Sequence, residues 1–262
     1  MLKNNKILVT GSNGQLGKTL QKKSCDLKGY EWVFLPKEKL DITKISEIQN
    51  VFKKHNPSFC INCAAFTNVS KSEKQPLLAR KINVDGVRKL TQSCNDCESI
   101  LIHISTDYVF DGTKGELYLV DDKPNPLNVY GITKYLSEKH IVKNAKFGYV
   151  IRTSWLYSKK FGYNFYRNIQ REASMGNQIK VVKDQYGTPT NTEKLADFII
   201  KIIVSLPKKG IYHCAGEEVM SWYEFAKKIA KENNCSNSII PIKSNFAEVT
   251  RPKYSPLKNS EI

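Results

Sequence analysis

The apolar residues of the first 155 positions fall into short, nearly continuous runs: Lys6–Val9, Glu31–Leu35, Ser58–Cys63, Ser99–Ser105 and Gly148–Thr153. Between these runs the apolar positions recur at helical spacing, over Gln15–Lys23, Ser46–Lys54, Leu77–Cys94 and Val129–Lys143. A strand that is apolar on both faces needs cover on both faces, and helix-length crossovers supply it. The pattern therefore predicts an α/β fold, a doubly wound parallel sheet of the Rossmann type. After Thr153 the rhythm changes. Gly162–Met175 reads as a helix with aromatics, Ile179–Lys183 as a short strand, Asn191–Ser205 as an amphipathic helix and Gly210–Cys214 as a further strand. Ser221-Trp222-Tyr223-Glu224 has the spacing of a capping box opening a helix. Residues 250–256 form a proline-broken polar loop. The division expected is a dinucleotide-binding core over 1–155, joined by about 187–214, and a smaller substrate lobe from 156–186 and 215–262.

The first strand runs straight into Gly11-Ser12-Asn13-Gly14-Gln15-Leu16-Gly17. A buried strand that turns through glycine into a helix offers backbone N–H groups and a helix N-terminus to a pyrophosphate. Its glycines stand three and three apart, rather than the two and three of the commonest dinucleotide fingerprint. Two further constellations carry chemistry. Ser105 and Thr106 end the fourth strand run, where open α/β sheets collect ligands, so both hydroxyls are expected in the crevice. Tyr130 and Lys134 are four apart on a predicted helix, where they share a face. An ammonium there is expected to lower the phenol pKa and make it a proton donor near neutral pH. The same spacing recurs in Tyr135/Lys139, Tyr223/Lys227 and Tyr254/Lys258; only Tyr130 follows the hydroxyl-bearing strand end by one loop.

Composition narrows the setting. The 262 residues carry 41 Lys and Arg against 25 Asp and Glu, a net charge of +16. These charges are spread along the chain without a block, a basic helix stripe or interleaved aromatics, which argues against nucleic acid and suits an anionic nucleotide substrate. No apolar run has the roughly 18–20 residues of a membrane span, and Met1 to Lys6 has no apolar leader, so a cytoplasmic location is expected. Cys60-x-x-Cys63 lies on a strand, where an odd separation sends the thiols to opposite faces. Cys94-x-x-Cys97 ends a helix without a knuckle glycine. No metal site is expected from either pair.

Together these residues resemble the extended short-chain dehydrogenase/reductase family, within it the branch acting on nucleotide-linked 4-keto sugars. The resemblance runs through Val9 to Gly17, Leu40-Asp41-Ile42-Thr43, Ala64-Ala65-Phe66-Thr67, Ser105 to Gly112 and Pro126 to Gly131 with Lys134. It continues through Arg152 to Tyr157, Asp184 to Thr190, Gly210 to His213 and Arg251-Pro252. It implies NADPH-dependent reduction of a nucleotide sugar, dTDP-4-dehydrorhamnose, in surface polysaccharide synthesis. Tyr130 would protonate the ketone oxygen, Lys134 would hold the nicotinamide ribose and Thr106 would bond the reacting oxygen. Gly11, Gly14, Gln15, Leu16 and Gly17 would meet the pyrophosphate; Asp41 and Ile42 would lie by the adenine, and Ala65, Phe66 and Thr67 along the cofactor. Thr67, Thr106, Asp107, Trp155 and Arg251 would line the sugar-nucleotide site.

Three departures qualify this. Leu35-Pro36-Lys37 lacks the acidic residue that would accept a ribose 2′-hydroxyl; Lys37 would instead receive a 2′-phosphate, with Glu38 leaving NADH open. Thr19 stands where some relatives carry a glutamate linked to a magnesium-joined dimer, so no metal is carried over, and a homodimer is left open. The sequence also ends soon after Arg251-Pro252, which leaves the smaller lobe shortened in expectation. An epimerase or dehydratase of the same cofactor fold, or a non-catalytic NADP-binding regulatory subunit, are the alternatives.

Overall fold

The computed structural model describes residues 4–235, 239–245 and 249–262. The opening Met1, Leu2 and Lys3 lie outside the described residues. Six parallel strands form the central sheet: β1 (Lys6–Thr10), β2 (Glu31–Leu35), β3 (Phe59–Asn62), β4 (Ile100–Thr106), β5 (Gly148–Thr153) and, later in the chain, β10 (Gly210–His213). Their spatial order is β10-β5-β4-β3-β1-β2. The order reverses beside β1, which places the switch point at the C-terminal ends of β1, β3 and β4, where a ligand crevice opens in such sheets.

Alternation along the strands explains why both faces are apolar. Ile7, Val9, Phe59, Ile61, Ile100 and Ile102 face one core, shared with Leu16 and Leu20 of α1 (Gln15–Lys23) and Leu195 and Ile199 of α8 (Thr192–Ser205). Leu8, Cys60, Leu101 and Val150 face the other. There they meet Phe52 of α2 (Ile45–His55), Leu90 of α5 (Val87–Asp96) and Ile141 of α6 (Val129–Asn144). Cys60 and Cys94 are small core hydrophobes in this second layer.

The segment expected as one helix over Leu77–Cys94 is interrupted. After the short α3 (Val69–Lys74), helix α4 (Pro76–Arg80) passes through a π turn, Lys81–Gly86, before α5. The π turn carries Asn83, whose side chain accepts from Phe66 N at 2.8 Å and donates to Phe66 O at 3.0 Å and Thr133 Oγ1 at 3.1 Å. A side chain that clamps the backbone of the 64–67 loop gives the irregular turn a physical reason.

A separate apolar cluster joins α7 (Phe165–Ser174), β7 (Ile179–Val182) and α9 (Trp222–Glu232), with β12 (Ile239–Ile242) parallel to β7. The predicted capping box at Ser221 and Glu224 is present. Two-residue pairings complete the framework: β6 (Leu156–Tyr157) with β9 (Thr190–Asn191), and β8 (Tyr186–Gly187) with β11 (Met220–Ser221). The final segment returns to the sheet side, where Leu257 packs with Val109 and Phe110 and Ser260 N donates to His213 O. No helix among the described residues is long and apolar enough to cross a membrane.

Candidate active site

The glycine turn is shaped by contacts that no side chain would survive. Gly11 has φ +60°, and a Cβ there would lie 2.7 Å from Ala64 N. At Gly17 a Cβ would meet Ser12 Cα at 2.5 Å, so α1 packs directly on the turn. Helix α1 starts from Gly14, which supplies no side-chain cap, and the orphan N–H groups of its first turn are left for a ligand. Gly17→Ala is expected to displace the turn and weaken NADPH binding at least tenfold, read by cofactor fluorescence titration. Affinity equal to the parent's would contradict this role for the turn.

Beside the turn lies a cleft of about 620 Å³, within the usual range for ligand sites. Gly14, Gln15, Leu16, Gly17, Ala65, Thr67, Thr106, Asp107, Tyr130, Lys134, Trp155 and Arg251 all line it. The structure thus brings most of the expected site residues around one space. Gly11, Lys37, Asp41, Ile42 and Phe66 are not among its lining. Gly11 shapes the turn from behind, and Phe66 is held by Asn83. Lys37 is exposed just beyond β2, whose last residue Leu35 is paired with Thr10, the residue before the glycine turn. Asp41 lies close to Lys37. Partial burial raises the Asp41 carboxyl, but hydrogen bonds from Thr43 and the nearby Lys37 ammonium leave it below its ordinary value.

Thr106 ends β4, accepts from Tyr108 N at 3.2 Å and lies beside the Tyr130 phenol. Tyr130 opens α6, whose N-cap Asn128 accepts from Gly131 N at 2.9 Å and donates to Thr250 O at 2.9 Å. Gly131 lets the helix close on the Tyr108 carbonyl, only 2.2 Å from where a Cβ would sit. That close packing places the phenol at the strand end.

Two expectations are corrected here. Ser105 borders the cleft, but its hydroxyl is already engaged within the protein. Ser105 Oγ donates to the buried carboxylate of Glu138. The Tyr130 phenol is also not lowered. Burial raises it above its ordinary value, with the Thr106 side chain pulling against that rise. Lys134 is itself buried: Nζ donates to Ile104 O at 2.6 Å and stands 3.0 Å from His103 Nε2. Burial brings its pKa down to about 8, against the opposing carboxylate of Glu138.

Asp107 receives the Ser255 hydroxyl at 2.6 Å and the Thr106 hydroxyl at 3.1 Å. Burial still lifts its pKa from 3.8 to about 6. A raised folded pKa means that the unfolded chain ionises first. This carboxyl therefore favours folding fully below 3.8 and loses that contribution as pH rises to about 6. Against Asp107→Asn, the parent is expected to lose on the order of 1–3 kcal/mol across that window, measured by denaturant unfolding at each pH. Parallel stability curves for the two proteins would contradict it.

Beside the expected Trp155, the lobe adds Asn164 and Trp222, which sequence reasoning missed as site residues. Trp155 has φ +47°, an uncommon conformation for a bulky residue and a mark of functional sites. It stacks on Trp222 at 3.5 Å between ring centroids, with Gly187 behind it. Asn164 caps α7 and donates to Gln15 Oε1 at 3.0 Å, while Gln15 Nε2 donates to Leu156 O at 3.0 Å. The glycine turn is thereby tied to the lobe. Trp222 was signalled only by its place inside a capping box; Asn164 and Asn83 gave no signal. Thr19 is buried and donates to Gln15 O at 2.9 Å, leaving its lone pair for the Thr192 hydroxyl, also at 2.9 Å. Among the described residues no group of three or more His, Cys, Asp or Glu could hold a metal ion.

Comparison with known proteins gives a consistent set. Residues 5–262 match the model of the RmlD substrate binding domain. The chain is 38% identical over 232 residues to a dTDP-4-dehydrorhamnose reductase of Aggregatibacter actinomycetemcomitans, covering 87% of this chain and 79% of that one. It is 36% identical over 259 residues to the spore coat polysaccharide biosynthesis protein SpsK of Bacillus subtilis, covering 98% and 90%. A dTDP-4-dehydrorhamnose reductase from Bacillus anthracis, solved in complex with NADP, superposes with a TM-score of 0.93 at 37% identity. That match covers 98% of this chain and 91% of the other.

Proposed function

The chain belongs to the family of the RmlD substrate binding domain, and from that premise we propose that it reduces dTDP-4-dehydrorhamnose to dTDP-rhamnose with NADPH, for surface polysaccharide synthesis. The relatives' names support the activity, and the NADP complex of the Bacillus anthracis reductase supports the cofactor. The observation that carries the reading is the convergence of Thr106, Tyr130, Lys134 and the glycine turn on one cleft.

The cradle fits a dinucleotide. Gly11 and Gly17 leave no room for side chains, and the first turn of α1 is open to an anion. Bound NADPH supplies the hydride. Gln15 and Leu16 hold the pyrophosphate, Ala65 and Thr67 flank the cofactor, and Lys37 meets the 2′-phosphate beside Asp41. Lys134, fixed by Ile104 O, holds the ribose. The sugar's ketone oxygen sits between Thr106 and Tyr130. Because burial keeps the phenol protonated, Tyr130 has a proton to give when that oxygen gains charge. Asp107, Trp155 and Arg251 bound the sugar-nucleotide side, and the stacked indoles exclude water from it.

The same reading sets the protein in the cytoplasm as two folding units, the sheet core and the α7–α9 lobe, and as a homodimer. Exposed Leu78 on α4 and Ile132 on the adjoining α6 are apolar surface that a second copy would cover. Supplying dTDP-4-dehydrorhamnose should drive stoichiometric NADPH oxidation, faster than the UDP- or GDP-linked ketosugars. Intact NADPH binding with no oxidation by any of them would overturn the proposal.

A further inference from the structure

Behind Lys134 a chain of hydrogen bonds crosses three strands, and its polarity is fixed at both ends. At one end, Asn62 Oδ1 takes the Ala64 N–H at 3.2 Å and the Thr10 hydroxyl at 2.7 Å. A backbone N–H can only donate, so this contact orients the amide and leaves Nδ2 facing His103 Nδ1 at 3.0 Å. Nδ1 must then accept. At the other end, Ser137 Oγ gives its own proton to Lys134 O at 2.6 Å. Its lone pair therefore faces His103 Nε2 at 3.2 Å, which must bring a proton. Two independent constraints specify one neutral tautomer, protonated at Nε2.

That N–H also points at Lys134 Nζ, 3.0 Å away. We propose that His103, held in its Nε2–H tautomer by Asn62 and Ser137, is a positioning residue that governs the proton occupancy of Lys134. A neutral amine accepts this N–H while donating to Ile104 O; an ammonium meets it proton to proton. The ring therefore opposes the charged lysine, where the other tautomer would stabilise it. The remaining groups facing Lys134 are Glu138 one turn along α6, Cys63 at the end of β3 and Tyr130 one turn before. Glu138 favours the ammonium, while burial pushes the Cys63 thiol up and keeps it uncharged. Burial and the lysine charge both hold His103 neutral. The consequence for catalysis rests on the reductase reading, because Lys134 matters there as the group that holds the nicotinamide ribose; the tautomer itself does not.

The test needs no turnover, so its failure is separate from failure of that reading. The full chain is labelled with ¹⁵N-histidine, and the four rings are resolved by long-range ¹H–¹⁵N correlation. His103 is assigned by its loss in His103→Gln or, if that variant does not fold, by elimination with His55→Gln, His140→Gln and His213→Gln. The expected ring is neutral and protonated at Nε2 throughout the neutral range. An Nδ1–H ring, or one that titrates near pH 7, overturns the proposal. A second measurement follows the Lys134 Cε signal with pH, assigned with Lys134→Arg. Asn62→Leu removes the donor to Nδ1 without changing charge, so the ring turns over and the Lys134 midpoint rises by about one pH unit, a tenfold gain in proton affinity. A turned ring with an unmoved lysine midpoint would overturn it as well.

Discussion

Tyr130→Phe is expected to lower kcat by about 10²–10⁴-fold while leaving the fold and NADPH affinity close to those of the parent. The substitution removes one oxygen. The ring keeps its edge contact with Tyr108, at 5.9 Å between centroids, and the start of α6 remains tied by Asn128. The acid that meets the ketone oxygen is lost. Thr106 is a weak acid, and the ionised form of Asp107 accepts protons instead of giving them. Steady-state kinetics alongside cofactor titration separates the two effects. A kcat within tenfold of the parent would remove Tyr130 as the proton donor.

Arg152→Leu is expected to destabilise the protein by about 3–5 kcal/mol, the largest effect on folding anticipated here. Arg152 and Glu138 are only 2% and 1% exposed. Arg152 Nη2 donates to Glu138 Oε2 at 2.8 Å and Nε to Oε1 at 3.1 Å; Nη1 reaches Val120 O at 3.1 Å. The guanidinium also lies 5.1 Å from the Phe110 ring centre. Removing it strands a buried carboxylate whose other described partner is the Ser105 hydroxyl. Leaving one partner of a buried pair costs far more than replacing both, so Arg152→Met with Glu138→Leu should recover much of the loss. Denaturant unfolding of both variants decides it. A single-variant loss below about 1 kcal/mol would mean that water or another group neutralises Glu138.

These two sites differ in how far the chain itself announces them. The sheet is legible because strands covered on both faces are written as unbroken apolar runs, and the glycine turn because its position after β1 leaves few other uses for it. Tyr130 stands out from its three lookalikes only through the strand end that precedes it. In the structure Tyr135 and Tyr223 lie under Lys139 and Lys227 at 5.6 and 5.5 Å, ordinary cation–ring contacts. What a sequence does not carry is which partner a polar strand residue takes when both neighbours are polar. Ser105 and Thr106 look alike on paper and both border the cleft, yet the hydroxyl of one is held by Glu138 and that of the other by Asp107. Contacts from distant segments are equally silent: Ser255 on Asp107, Thr250 on Asn128, Asn164 on Gln15. The pairing of Trp155 with Trp222 likewise depends on a left-handed backbone that nothing in Thr153-Ser154-Trp155 foretells.

The central claim is that the nicotinamide and the Thr106–Tyr130 pair meet over one carbonyl. It is tested most directly with NADPH deuterated at its transferable position and dTDP-4-dehydrorhamnose as acceptor. One deuterium at C4 of the product sugar for each NADP⁺ formed is the predicted result. An altered sugar without label, or one formed with no net oxidation of the cofactor, would contradict it.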